Sequence, residues 1–180
     1  MEILDEKHRG IITKFKSIDD ELNEFLNTDA FHYMGLKLGI TYLLIDKATG
    51  ELISYSALST GAVRIDDEVV FQGLKRKDYP KDLPNQFPAL LIGRLATDKT
   101  KEGNGGGSLL LKHAIKNALD LTLKLGCTHL AVHSNRRPET VKWYSSRGFI
   151  CADPNSKKET LTFFFELPTQ GGAISEKRPA

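Results

Sequence analysis

The sequence predicts a single mixed α/β domain, a sheet with helices packed against it. Three observations carry that class. Ala89-Leu90-Leu91-Ile92-Gly93-Arg94-Leu95-Ala96 is an apolar run of strand length. After a glycine-rich stretch, Leu109, Leu110, Leu111, Ala114, Ile115, Ala118, Leu119 and Leu123 recur at helical spacing. Two more β-rich runs follow, Thr128 to His133 and the aromatic Leu161 to Leu167. At 180 residues, 40% hydrophobic and 27% charged, the chain has the length and composition to bury one sizeable core.

Ser17-Ile18-Asp19-Asp20-Glu21 marks a helix start, with Ser17 as cap and acids in the first turn. Leu22, Phe25 and Leu26 supply its apolar stripe, and a second short helix spans Asp29 to Leu38. Thr41 to Asp46 and Leu52 to Leu58 form an antiparallel hairpin through Lys47-Ala48-Thr49-Gly50. Asp66 to Pro88 reads mostly as a connection facing substrate, with Lys75-Arg76-Lys77 and several prolines. Pro138 suits the first turn of a helix from Glu139 to Ser146, which Gly148 stops. The domain is expected over residues 1–168, and residues 169–180 read as a disordered tail.

Composition excludes several classes. No apolar run approaches the ~20 residues of a membrane helix, and the first residues lack the apolar segment of a signal peptide. Cys127 and Cys151 have no metal-type spacing, nor do the five histidines, so no metal site is expected. The expectation is a cytoplasmic protein with reduced thiols. Net charge is only +2, but residues 1–90 carry −4 and residues 91–147 carry +6. The basic excess falls on the glycine-rich segment, which suits an anionic ligand.

That segment, Glu102-Gly103-Asn104-Gly105-Gly106-Gly107-Ser108, joins strand to helix. Glycines allow close backbone approach and positive φ, and the first helix amides point outward unpaired. The helix dipole favours an anion there, so a phosphate-bearing ligand is indicated. The run lacks the Gly-Lys-Ser/Thr of a P-loop and the downstream acid of a dinucleotide fingerprint.

With these elements placed, the chain resembles the GCN5-related N-acetyltransferase (GNAT) family. Three segments carry the resemblance: Ile92 to Asp98, the loop Glu102-x-x-Gly105-x-Gly107, and Trp143-Tyr144-Ser145-Ser146-Arg147-Gly148-Phe149. The resemblance implies a mixed, mostly antiparallel sheet flanked by helices and splayed at the cofactor site, with acetyl-CoA as cofactor. It implies pyrophosphate on the amides of Gly103, Asn104, Gly105, Gly107 and Ser108. It places the pantetheine arm along Leu95, Ala96 and Thr97, and makes Tyr144 the general acid for the departing thiolate. Glu102 stands where the family carries Arg or Gln, and Asn135 sits two residues too far from Tyr144 to match the family's asparagine.

A narrower resemblance spans Asp19 to Leu26, Tyr55 to Val63 and Leu91 to Ala96. These segments are similar to the acetyltransferase toxins of bacterial toxin–antitoxin pairs. It implies aminoacyl-tRNA as acceptor, a small antitoxin protein as partner, and a homodimer. Arg94, Arg136, Arg137 and Lys142, with Lys75 to Lys77, are the candidate cations for tRNA phosphates. Two alternatives stay open: a housekeeping enzyme acetylating a small amine or a protein N-terminus, and a non-catalytic acyl-CoA-binding module.

Overall fold

The computed structural model describes residues 1–74 and 85–168. The expectations for Lys75-Arg76-Lys77 and for the tail at 169–180 therefore lie outside the described residues. Among the described residues, seven strands form one sheet in the order β1-β2-β3-β4-β5-β7-β6. They are β1 (Glu2–Ile3), β2 (Ile40–Ile45), β3 (Leu52–Arg64), β4 (Gln86–Thr97), β5 (His129–Asn135), β6 (Ile150–Cys151) and β7 (Thr160–Glu166). Every neighbouring pair is antiparallel except β4 and β5, which run parallel. The mixed, mostly antiparallel sheet matches the expected class.

Strand alternation sorts the helices onto two faces. On one face lie α1 (Arg9–Ile12), α2 (Asp20–Glu24), a π-helical turn (Phe25–Asp29) and α3 (Ala30–Gly35). They bury Phe15, Phe25 and Leu26 against Leu43, Tyr55, Ala57 and Ala96. Tyr55 anchors this layer by donating its hydroxyl to the Leu22 carbonyl at 2.7 Å. α4 (Glu68–Leu74) packs Val70, Phe71 and Leu74 with Val63, Phe87, Ala131 and Phe164. The opposite face carries α5 (Gly106–Thr122) and α6 (Pro138–Ser145). There Leu111, Ala114, Ala118 and Tyr144 meet Leu58, Leu90, Ile92, Leu130, Val132 and Phe163.

One expectation changes, and two elements, α4 and β1, are added to those expected. The cap of α2 is Asp19, whose side chain accepts from the Glu21 amide at 3.1 Å. Ser17 lies buried two residues earlier, its hydroxyl bonded to Asn23 Oδ1 and to the Asp19 carbonyl. Most of the described residues between Asp66 and Pro88 belong to α4 or to β4, which already begins at Gln86, while residues 75–84 of that expected connection lie outside the described residues. The first hairpin is preceded by β1, which pairs Glu2 and Ile3 with Leu43 and Tyr42.

The feature that positions the site is where β4 and β5 part. Their pairing covers only Ala89–Ile92 against His129–Val132. Beyond it, β4 follows β3 to Thr97 while β5 follows β7 to Asn135. The register of β3 on β4 shifts at this point: Leu58 faces Ile92, but Ala57 faces Arg94. Gly93 is thus the extra residue of a β-bulge, which bends the strand and increases its twist.

Candidate functional site

The parting strands enclose a groove of about 830 Å³. One wall is β4 from Ile92 to Thr97 and the other is β5 from Val132 to Asn135. Past Ile92, β4 has no strand partner on its β5 side among the described residues, so alternate backbone N–H and C=O groups of Gly93–Thr97 face the groove. The α5 and α6 side of the groove is made by Gly103, Gly105 to Ser108, Trp143, Tyr144 and Arg147. The other side is made by Ser17 to Leu22, Arg94 and Arg137.

The glycine loop is fixed from both ends. Gly103 and Gly105 adopt φ of +79° and +83°, a left-handed conformation that favours glycine. Upstream, buried Asp98 accepts from the amides of Lys16 and Thr100 and from the Thr100 hydroxyl. Burial alone would raise its pKa, but these bonds together with Lys101 hold the carboxyl below its usual value. Downstream, Gly106 is wedged against β3. A Cβ there would lie 2.3 Å from Ser54 Oγ and 3.0 Å from Ile53 Cγ2. The first intrahelical bond runs from the Leu109 amide to the Gly105 carbonyl. The amides of Gly106, Gly107 and Ser108 are therefore the unpaired ones at the start of a 17-residue helix.

Tyr144 reaches the groove from α6 with only 5% of its surface exposed. Trp143, Phe149 and Phe163 hold its ring, at centroid distances of 4.9, 5.3 and 5.8 Å. Burial pushes the phenol well above its ordinary pKa. It is therefore protonated at neutral pH and available as a donor. No side chain among the described residues accepts that hydroxyl's hydrogen bond in its place.

The structure brings most of the expected residues together. Leu95, Ala96, Thr97, Gly103, Gly105, Gly107, Ser108 and Tyr144 all line the groove. Asn104 does not. Its amide donates to the Lys101 carbonyl at 3.4 Å, and the residue borders a separate hollow with Asp46, Ile53 and Lys101. Among the cations, Arg94 and Arg137 line the groove, and Arg137 sits 3.7 Å from Asp19 across its mouth. Arg94 lies 5.1 Å over the Phe25 ring. Arg136 instead turns to the carbonyls of Ser156 and Lys158, and Lys142 is outside the lining. No group of metal-ligating residues occurs among the described residues.

Three contributors were missed from sequence: Gly106, passed over between its glycine neighbours, the Ser17–Leu22 segment and Arg147. The Ser17–Leu22 segment forms one rim of the groove, although only its helix-start signal was visible. Arg147 lines the groove four residues after Trp143, and that i, i+4 spacing was the available signal. Its guanidinium lies 4.0 Å over the Trp143 ring and donates to Ser108 Oγ at 3.2 Å.

No family model matches the chain. Among curated proteins, a tRNA-acetylating toxin of Mycobacterium tuberculosis (strain ATCC 25618 / H37Rv) is 27% identical over 125 residues, covering 68% of this chain and 69% of that protein. Among solved structures, AtaT complexed with acetyl-methionyl-tRNAfMet superposes with a TM-score of 0.72 at 22% identity, covering 92% of each chain. A variant AtaT toxin bound to the C-terminus of the antitoxin AtaR and acetyl-CoA gives 0.67 at 22% identity, covering 92% and 91%. No helix among the described residues is long and apolar enough to cross a membrane.

Proposed function

We propose that this chain, built on the fold of the GNAT-type acetyltransferase toxins, transfers acetyl from acetyl-CoA to the α-amine of aminoacyl-tRNA, blocking translation. The observation that carries the reading is one groove with two distinct sides. A glycine-cradled helix start and the Tyr144 phenol line one, and Arg94 and Arg137 line the other. The fit to acetyl-CoA rests on features of that groove. Gly106 leaves no room for a Cβ, and three unpaired amides sit beside it. In the β5 wall, Asn135 Oδ1 is buried without a hydrogen-bond partner among the described residues, an acceptor suited to an amide N–H. The acetyl relatives described above add to this. We take residues 1–168 as the catalytic domain, acting in the cytoplasm, with a small antitoxin protein as partner.

In this reading the amides of Gly106, Gly107 and Ser108 hold the pyrophosphate at the positive end of α5. The free edge of β4 from Gly93 to Thr97 pairs with the pantetheine amides as an added strand would. A backbone N–H of that edge polarises the thioester carbonyl. When bound, acetyl-CoA supplies an acyl group already activated as its thioester. As the amine nitrogen bonds the acetyl carbon and the C–S bond breaks, Tyr144 donates its proton to the departing sulfur, and the proton shed by the nitrogen returns to the phenolate through water. A strong general base is not required, since an α-amine titrates near 7.7–8.0 and roughly a tenth to a sixth of it is already neutral at pH 7, far more than of a lysine side chain.

The test is cell-free translation with and without acetyl-CoA, comparing wild type with Tyr144→Phe and analysing the tRNA by mass spectrometry. Arrest that needs acetyl-CoA, leaves acetylated aminoacyl-tRNA and weakens in the variant is the expected result. Undisturbed translation at high enzyme concentration overturns the toxin reading.

A further inference from the structure

At the position where the GNAT loop pattern carries a cation or an amide side chain, this chain has Glu102, and that residue lines the groove beside the helix start. A carboxylate repels a pyrophosphate, so the positive charge this site needs must come from elsewhere. We propose that Arg147, reaching across from the end of α6, supplies that charge and positions the phosphates of CoA on the start of α5. The inference rests on the acetyl-CoA reading above.

Four features of the structure carry it. The Arg147 Nη2 donates to Ser108 Oγ at 3.2 Å, and the Ser108 amide is one of the three unpaired at the α5 start. The guanidinium is held rather than free. It stacks 4.0 Å over Trp143, and its Nη1 donates to the Trp143 carbonyl at 3.0 Å and to Ser146 Oγ at 3.2 Å. These bonds use three of the five N–H donors of an arginine, leaving two for an anion. No carboxylate among the described residues pairs with Arg147, unlike Arg9, Arg64 and Arg137, each of which has an acid partner. Finally, Gly107 keeps the approach open: a Cβ there would touch Trp143 Cζ2 at 3.4 Å, so the ring carrying Arg147 lies directly against the loop.

A stacked, partly shielded arginine holds its charge in one pose, which favours bidentate contact with phosphate oxygens. Glu102 opposes it in the same groove, so the two residues set the phosphate affinity between them.

The experiment measures binding of two probes by calorimetry: CoA, and acetyl-pantetheine, which has the thioester arm but no phosphate. Wild type, Arg147→Gln, Arg147→Lys and Glu102→Gln are compared, with thermal unfolding of each. Arg147→Gln is expected to raise the Kd for CoA roughly tenfold to a hundredfold while leaving acetyl-pantetheine unchanged. Arg147→Lys should keep part of the affinity, and Glu102→Gln should tighten CoA alone. The CoA affinity of Arg147→Gln should also depend less steeply on salt than that of wild type. Unchanged CoA binding in Arg147→Gln, or equal loss for both probes, overturns the proposal and leaves Arg147 as a packing residue of α6. Wild-type protein that binds neither probe overturns the acetyl-CoA reading itself, a separate outcome.

Discussion

Gly106→Ala tests how the helix start is held. The new Cβ would stand 2.3 Å from Ser54 Oγ, about 1 Å inside ordinary contact, and 3.0 Å from Ile53 Cγ2. Two relaxations are available. Ser54 can rotate, but it is fully buried and its hydroxyl donates to Thr97 Oγ1 at 2.9 Å, so rotation breaks a bond worth about 1 kcal/mol. Alternatively α5 shifts off β3, an overpacking response that costs about 1–3 kcal/mol. Replacing glycine returns about 0.4–1 kcal/mol through the unfolded chain. The net is a destabilisation of up to about 2.6 kcal/mol, or a fall in Tm of up to roughly 10 °C for a domain of this size. The displaced amides of Gly106 to Ser108 should also weaken CoA binding at least tenfold, since misplacement by about 1 Å is costly at a positioned site. Thermal unfolding and calorimetry read the two effects separately. Gly10→Ala is the control of opposite sign, because a Cβ in that helical position meets nothing within 4 Å. A Gly106→Ala protein with wild-type Tm and wild-type CoA affinity would refute the wedge between α5 and β3.

Tyr144→Phe keeps the ring among Trp143, Phe149 and Phe163, so its Tm should stay near that of wild type. Its acetyl-transfer rate, followed by CoA release, should fall by roughly 10²- to 10⁴-fold. Burial raises both Tyr55 and Tyr144 far above the ordinary value of 10.0. The unfolded chain therefore loses these protons near pH 10 while the folded chain keeps them. Stability should be complete below pH 10 and decline above it by up to about 1.4 kcal/mol per pH unit for each tyrosine. Denaturant titrations from pH 8 to 12 should show the slope, and Tyr144→Phe should flatten it. Arg137→Ala removes a cation at the groove mouth, so the logarithmic salt dependence of tRNA binding should lose about one unit of slope. A slope equal to that of wild type places Arg137 off the tRNA path.

What the sequence made legible was whatever the backbone itself announces. The glycine run, the leucine periodicity of α5 and the Pro138 start of α6 are local rules, and the structure keeps them. The extension of β3 to Arg64 was hidden because Ser59-Thr60-Gly61-Ala62 has no apolar alternation. Its ladder with Phe87 to Leu91 holds it in the strand, a non-local cause. The α2 cap was misplaced because Ser17 and Asp19 are both good capping residues. Only the buried bond from Ser17 to Asn23 decides between them. Cations were read as a set from charge alone, yet adjacent Arg136 and Arg137 point to different places. Charge counts fix how many guanidinium groups a segment carries, and tertiary partners fix where each one goes.

The bulge at Gly93 explains why one groove can have two chemically different sides. In an unbroken strand Ile92 and Arg94 would share a face, since side chains alternate with period two. Here they pair with Leu58 and Ala57, consecutive residues of β3 that point to opposite faces. Ile92 therefore joins the core under α5, beside Leu111 and Tyr144. Arg94 is turned to the other face, over Phe25 of the helical layer that borders the groove mouth. The same extra residue comes immediately after the last β4–β5 pair, Ile92 with Val132, and so coincides with the opening of the sheet. A single inserted residue thus opens the wall between two strands and puts apolar packing on one side of it and a cation on the other. In the proposed reaction an acyl donor held along the β4 edge would present its carbonyl at the gap, with Tyr144 on the face of its sulfur and with Arg94 and Arg137 on the face from which an amine on an anionic acceptor would approach. The separation of leaving group and nucleophile would then be set by strand register rather than by the identity of any one side chain.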